Sequence, residues 1–264
     1  QTADGVEVLA WEGMTERLFE GSFVLACDGS DSAVRKAMAI PFEGFTYPER
    51  FLVASTEFPL ETKFDRLALV NYVSDPDEWL VLLRTPSVWR VLIPTDPKIE
   101  DDNYFLSDRW IQDRLHHMAP HDSDYPLAHR SIYRVHQRVA KIWRRGRVLL
   151  AGDSAHMNNP LGGMGLNFGL HDAYELAPRL AAIVRGDADP SSLDVYDRRR
   201  RSVAESVLQA QTIANKKLLE EKNPTIRAER QQDLRDTAAD PVRARAYLLR
   251  TSMIEGLRAA AHIR

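Results

Sequence analysis

The 264-residue chain has little of what marks secreted, membrane-spanning or nucleic-acid-binding proteins. Its single cysteine, Cys27, excludes an intramolecular disulfide framework and suits a reducing cytoplasm. Lying at the end of an apolar run, that thiol is expected to be buried and inert. No apolar stretch approaches the ~20 residues that a membrane-spanning helix needs. A net charge of −3 carries no global basic bias toward nucleic acid. There is no initiating Met, no secretory leader pattern, no internal repeat and no low-complexity tract. Also absent is Gly-x-Gly-x-x-Gly, the loop whose backbone holds a dinucleotide diphosphate. The nearest approach, Gly163-Met164-Gly165, has Phe168 where the third glycine would stand.

With 44% apolar and 28% charged residues, the chain can build a sizeable core in one large or two modest domains. The segment from Arg147 to Asn167 says most about what that core supports. Val148 to Ala151 is a short apolar run that reads as a buried strand, ending at Gly152-Asp153. Gly162, Gly163 and Gly165 then permit a tight turn free of side chains. Phe168, Leu170, Ala173, Leu176, Ala177 and Leu180 recur at helical spacing, so a helix starts close behind the glycines. Such a helix start offers unpaired N–H groups and a partial positive charge. Asp153, at the carboxyl end of the strand, can accept hydrogen bonds from the hydroxyls of a sugar-like chain.

A second segment repeats this grammar. Ser22 to Cys27 is an apolar strand, followed by Asp28-Gly29 and by Ser32, a good cap for a helix over Ala33, Val34, Ala37 and Met38. Arg35 is placed to pair with a phosphate or with Asp28.

Together the two segments resemble the flavin-binding motifs of the FAD-dependent aromatic hydroxylases, the class A flavoprotein monooxygenases that include para-hydroxybenzoate and phenol hydroxylases. That family carries Gly-Asp-(Ala/Ser)-Ala-His followed by Pro-x-Gly-Gly-x-Gly-x-Asn. Gly152, Asp153, Ser154, Ala155, His156, Pro160, Gly162, Gly163, Gly165 and Asn167 match it, ten positions in sixteen. Asp28, Gly29, Ser32 and Arg35 match the family's Asp-Gly-x-x-Ser-x-x-Arg element without a gap. The resemblance implies that Asp153 binds the ribityl chain of FAD and that the amides from Gly163 through Leu166 to Asn167 face the flavin pyrimidine edge. Pro160 and the Gly162–Gly165 loop would border the flavin ring, and Gly152 would shape the approach. Asp28, Gly29 and Arg35 would support the FAD pyrophosphate and the nicotinamide co-substrate, NADPH or NADH.

The implied fold is α/β (α+β): a partial FAD-binding Rossmann-like domain, an inserted β-sheet substrate domain and C-terminal helices. The expected division is 1–38 and 141–190 for the FAD-binding domain, 39–140 for the substrate sheet and 191–264 for the helical segment. With the glycine loop missing and Asp4-Gly5 reading as a hairpin turn, the chain is expected to be a C-terminal fragment lacking roughly the first quarter of the family's core, with poor FAD affinity alone. The implied reaction is hydroxylation of a small aromatic substrate with NAD(P)H and O2. The missing segment of the same protein and a homodimer partner are admitted. An FAD-dependent halogenase, epoxidase or dehydrogenase, and a non-catalytic fragment that binds no flavin, stay open.

Other features have structural readings. In Glu78 to Ile93, Leu80, Leu82 and Arg84 share one face of a strand, and Trp79, Val81 and Leu83 the other. Thr85-Pro86-Ser87 turns the chain into a partner strand. Trp110 to Met118 reads as a short amphipathic helix. The sequence from Leu193 to about Leu219 reads as helix, Pro224 interrupts, and helix resumes from Ala228. His116, His117, His121 and Asp122 invite a metal reading, but Pro120 breaks their register, and no metal is expected. Arg198 to Arg201 lies among Asp194, Asp197 and Glu205, which points to paired charges on a helix face. No catalytic triad or nucleophile stands out, and His156 reads as a loop cap rather than a catalyst.

Overall fold

A computed structural model describes residues 1–2 and 4–264. Strands β1 (Val6–Glu12), β2 (Thr15–Gly21) and β3 (Val24–Ala26) precede helix α1 (Ala33–Ala37) and a long strand, β4 (Phe42–Thr56). Then come β5 (Val70–Val73), β6 (Leu80–Arg84), β7 (Trp89–Pro94), α2 (Asp102–Leu106), α3 (Asp108–Met118) and a second long strand, β8 (Leu127–Ala140). Short strands β9 (Arg144–Arg145), β10 (Val148–Leu150) and β11 (His156–Met157) lead into α4 (Met164–Val184). Helices α5 (Ser192–Val203), α6 (Ala210–Leu219), α7 (Pro224–Ala239), α8 (Pro241–Thr251) and α9 (Ile254–Ala260) complete the chain.

The chain divides into two compact units: 1–45 with 136–213 and 237–264, and 46–135 with 214–236. In the first unit, β10 pairs in parallel with β3, Leu149 opposite Leu25, and antiparallel with β9. Val148, Leu149 and Leu150 are all buried, as an apolar run between two covered sheet faces requires. Trp143, Phe168, Leu193, Tyr196 and Leu208 close the core around that strand. Beside it, β11 pairs antiparallel with the end of β8, His156 opposite Val139.

In the second unit the sheet runs β8-β4-β7-β6-β5, and β7 lies antiparallel to both β4 and β6. The alternation read from sequence sorts its faces. Leu52, Ala54, Leu80, Leu82, Trp89, Val91 and Ile93 pack with Phe105, Trp110, Ile111 and Leu115 of the α2–α3 pair. Phe51, Trp79 and Val81, also buried, occupy the opposite face, where Phe51 meets Trp79 edge-on at 5.5 Å.

Several expectations need correction. Asp4-Gly5 is not the hairpin turn: that turn lies at Gly13-Met14, where Gly13 takes φ +62° and Glu12 pairs with Thr15. Cys27 is exposed, because it lies one residue beyond the short edge strand β3. Partial burial still raises its thiol above the ordinary value, with the Asp28 and Asp172 carboxylates adding to the effect. Helix α4 begins three residues before Asn167, and its buried stripe is Met164, Phe168, Asp172 and Leu176. Leu170 is 59% exposed, and Ala173 and Ala177 are also exposed. Pro224 starts a helix instead of only ending one, in keeping with proline's fit to a first helical position. A six-residue π segment, Ala204–Gln209, joins α5 to α6.

Candidate functional site

Two carboxylate-and-glycine loops follow β3 and β10, adjacent parallel strands of the first unit. In the loop after β10, Gly152 adopts φ +62°, a left-handed conformation that favours glycine. A short 3-10 turn over Gly152–Ser154 follows. Ser154 turns inward, its hydroxyl within hydrogen-bond reach of the carbonyl oxygens of Ala151 and Ala26, either of which can accept its one hydrogen, and so ties the two strands together. Asp153 turns outward. It is exposed and makes no side-chain hydrogen bond or ion pair with the described residues.

Behind this turn stands a buried charge network. Asp172, fully buried on α4, accepts the Gly152 amide at 2.9 Å and His156 Nε2 at 2.8 Å on one oxygen. Its other oxygen accepts Arg200 Nε at 2.7 Å. The Arg200 guanidinium lies 3.9 Å from the Phe168 ring centroid, and His156 stacks on Trp143 at 5.4 Å. His156 has no exposed surface, so it supports the loop and does not meet solvent or substrate. The remaining arginines of the run are also paired: Arg201 with Asp197, Arg199 with Glu175 and the Ala261 carbonyl, and Arg198 with the Arg264 carbonyl.

The chain then passes Asn159, whose buried side chain bonds the Gln137 side chain, the Thr212 carbonyl and the Leu161 amide. Gln137 in turn donates to Thr212 Oγ1 at 2.8 Å. This neutral network fixes Pro160, whose carbonyl accepts the Gly163 amide at 3.0 Å. Gly162 takes φ +109° and Gly163 φ +61°. A Cβ at Gly163 would meet no atom within 4 Å, whereas one at Gly165 would reach Asn158 Oδ1 at 3.4 Å. Gly163 caps α4 without any side-chain hydrogen bond. The first-turn amides of this 21-residue helix therefore lack a capping acceptor. Leu166 at that helix end is 79% exposed, and Asn167 folds its side chain back onto the Gly163 carbonyl at 2.8 Å.

The other loop is used differently. Asp28 accepts the Val34 amide at 3.1 Å, so its carboxylate caps α1 together with Ser32, which accepts the Arg35 amide at 2.9 Å. Burial pushes the Asp28 carboxyl up, but hydrogen bonds from the Ser32 hydroxyl and the first-turn amides outweigh it and hold the group below its ordinary value. Gly29 takes φ +81° and gives its carbonyl to the Ser32 amide. Arg35 is buried against Phe42, 3.9 Å from the ring centroid, and donates to the carbonyls of Ser154 at 2.9 Å and Ser30 at 2.8 Å. It staples one loop to the other.

An unpaired carboxylate, an uncapped helix start and an exposed apolar side chain thus lie on one run of the first unit. Among the described residues no group of three His, Cys, Asp or Glu could hold a metal ion, and no helix is long and apolar enough to cross a membrane. A family model described as an FAD binding domain matches residues 1–211. The chain belongs to the FAD-dependent aromatic hydroxylase family. It is 35% identical over 250 residues to a para-nitrophenol 4-monooxygenase of Pseudomonas sp. (strain WBC-3), covering 93% of this chain and 61% of that protein. To a 6-hydroxy-3-succinoylpyridine 3-monooxygenase of Pseudomonas putida it is 32% identical, covering 70% of this chain and 47% of that one. The crystal structure of a p-nitrophenol 4-monooxygenase from Pseudomonas putida DLL-E4 superposes with a TM-score of 0.85 at 31% identity, over 97% of this chain and 64% of that one. The chain therefore spans less than two thirds of the length of these relatives.

The residues that sequence reasoning missed are those behind the loops: Asp172, Gln137, Asn159 and Trp143. Asp172 had a legible signal. With Met164, Phe168 and Leu176 it completes an i, i+4 stripe, and a carboxylate on an apolar stripe must find buried partners.

Proposed function

We propose that this chain is the larger part of an FAD-dependent monooxygenase that hydroxylates an aromatic ring with NADPH or NADH and O2. The observation that carries the proposal is the exposed, unpaired Asp153 on the same run as the uncapped start of α4. A carboxylate is a strong acceptor for the vicinal hydroxyls of a ribityl chain. A free helix N-terminus suits the electron-rich pyrimidine edge of a flavin. Gly163, whose missing Cβ leaves open space, lets a planar ring approach the backbone, and Leu166 offers it apolar cover. These residues fit the ribityl and ring end of FAD. Held there by Asp153 and the start of α4, FAD would supply the redox chemistry, hydride acceptance from a nicotinamide and activation of O2.

The chain's own contribution is to orient the cofactor and keep the site dry. The first unit is the FAD-binding part and the sheet of the second the substrate part. The printed names of the relatives favour a phenol or a hydroxylated heteroaromatic ring as substrate. A reducing cytoplasm suits the lone exposed thiol of Cys27.

The test is a visible spectrum of the purified chain after FAD addition and gel filtration. Flavin absorbance near ~450 nm that is gained on FAD addition and mostly lost on gel filtration, as weak binding by a sequence without Gly-x-Gly-x-x-Gly requires, is the expected result; NAD(P)H oxidation is then screened with phenols at saturating FAD. A chain that takes up no FAD at any concentration up to millimolar would overturn the proposal.

A further inference from the structure

We propose that Asp172 is a positioning residue for the cofactor: it locks the Gly152–Asp153 turn onto α4, so that the ribityl acceptor and the amides at the start of that helix keep one fixed separation. The inference rests on the FAD reading above and adds a role to a residue outside either loop.

The geometry leaves Asp172 little other use. Its carboxylate has no exposed surface and faces three donors: the Gly152 amide, His156 Nε2 and Arg200 Nε. Each donor comes from a different segment, the turn, β11 and α5, and all three end on one helical side chain. A carboxylate only accepts, so His156 Nε2 carries the hydrogen. His156 Nδ1 has no hydrogen-bond partner among the described residues, which leaves Asp172 as the ring's polar anchor there. Helix and turn also touch directly. A Cβ on Gly169, one turn before Asp172, would come within 3.3 Å of Gly152 Cα. The turn is thus clamped by a backbone contact on one side and a charged hydrogen bond on the other. The next residue, Asp153, is the free carboxylate, and α4, which carries the clamp, begins at the uncapped amides. A shift of Asp172 relative to Gly152 would change the spacing between the two groups that meet FAD.

Asparagine is the discriminating substitution. It matches the volume of aspartate but brings an NH2 group into a shell made only of donors, so at least one of the three bonds is lost. The experiment compares wild type with Asp172→Asn and Gly169→Ala by amide hydrogen exchange of the FAD-free chain and by FAD fluorescence titration. In Asp172→Asn, exchange at residues 152–155 should rise about ten-fold while β6 and β7 stay unchanged, and the FAD Kd should rise about ten-fold or more. Gly169→Ala, in which alanine favours the helix and pushes the turn sterically, should weaken FAD by about three-fold. It keeps the idea testable if the asparagine variant fails to fold. Unchanged exchange at 152–155, or loosened exchange with an unchanged Kd, would overturn the positioning role. If wild type binds no FAD at all, the function proposal fails and the positioning role with it. Exchange then still reports whether Asp172 holds the turn as a purely structural residue.

Discussion

The two loops that follow β3 and β10 use the same residue types to opposite ends. Both leave adjacent parallel strands, both place an aspartate beside a glycine with positive φ, and both lead to a helix. In the first, aspartate precedes glycine and α1 begins five residues later, so the carboxylate reaches the Val34 amide and is consumed as a cap. In the second, glycine precedes aspartate and α4 begins eleven residues later, beyond a glycine-rich turn. Asp153 has no helix start within reach of its short side chain, and it stays free. The supports differ too. Arg35, a buried cation, holds the first loop through carbonyls, whereas Asp172, a buried anion, holds the second through an amide. Chemical type alone does not fix a role: distance to the nearest unsatisfied amide decides whether an aspartate is spent locally or stays free.

The largest effect should come from the staple between the loops. Replacing Arg35 with Met strands the buried Ser154 carbonyl and takes a donor from the partly exposed Ser30 carbonyl. Stability measured by urea unfolding should fall by about 3 kcal/mol. If Arg35→Met instead weakened FAD ten-fold at unchanged stability, Arg35 would be a cofactor contact and the contrast between the loops would break.

Next in size is the free carboxylate. If Asp153 serves the ribityl hydroxyls as proposed, Asp153→Ala should cost about 2 kcal/mol, or roughly thirty-fold in FAD Kd. Because Asp153 bonds no described residue, its melting temperature should match wild type. A variant that binds FAD as tightly as wild type would remove Asp153 from the site.

Much of this is legible in the sequence. The strand before Gly152, the cap at Ser32 and the alternating faces of β6 and β7 follow from apolar spacing and turn chemistry, which are local. What was missed depends on contacts distant in sequence. Strand β8 reads Leu-Ala-His-Arg-Ser-Ile-Tyr-Arg-Val-His-Gln-Arg-Val-Ala, and its charged positions hide a fourteen-residue strand whose sheet neighbours are β4 and β11. Asn159, Gln137 and Thr212 form one network from three segments, and no spacing rule announces it. The alternate fates of Asp28 and Asp153 also needed the fold, since both sit beside a glycine after an apolar strand.

The smallest effects sharpen the contrast from the Asp28 side. Loss of its cap in Asp28→Ala should cost about 1 kcal/mol of stability and change FAD affinity by less than about three-fold. An affinity loss as large as that of Asp153→Ala would show that Asp28 serves the cofactor as well. Asp28→Asn isolates the charge, because asparagine also caps helices well. The folded carboxyl sits below its unfolded value of 3.8, so its stabilising contribution is complete above that value and disappears as pH falls through the lower folded one. The stability difference between wild type and Asp28→Asn should therefore be flat above pH ~5 and close only in more acid solution. For so exposed a group its plateau is about 0.5 kcal/mol. Background titration of the other carboxylates is common to both proteins and cancels in the difference. A gap that opened near neutral pH would mean that a histidine, not Asp28, governs this end of the molecule. His171 carries a shifted imidazole: burial lowers it, the Arg200 charge lowers it further, and the Asp172 carboxylate opposes both. The sign separates the two readings. An imidazole with a depressed value costs stability as pH falls below its ordinary value of 6.5, whereas the Asp28 carboxylate keeps its contribution until well below that.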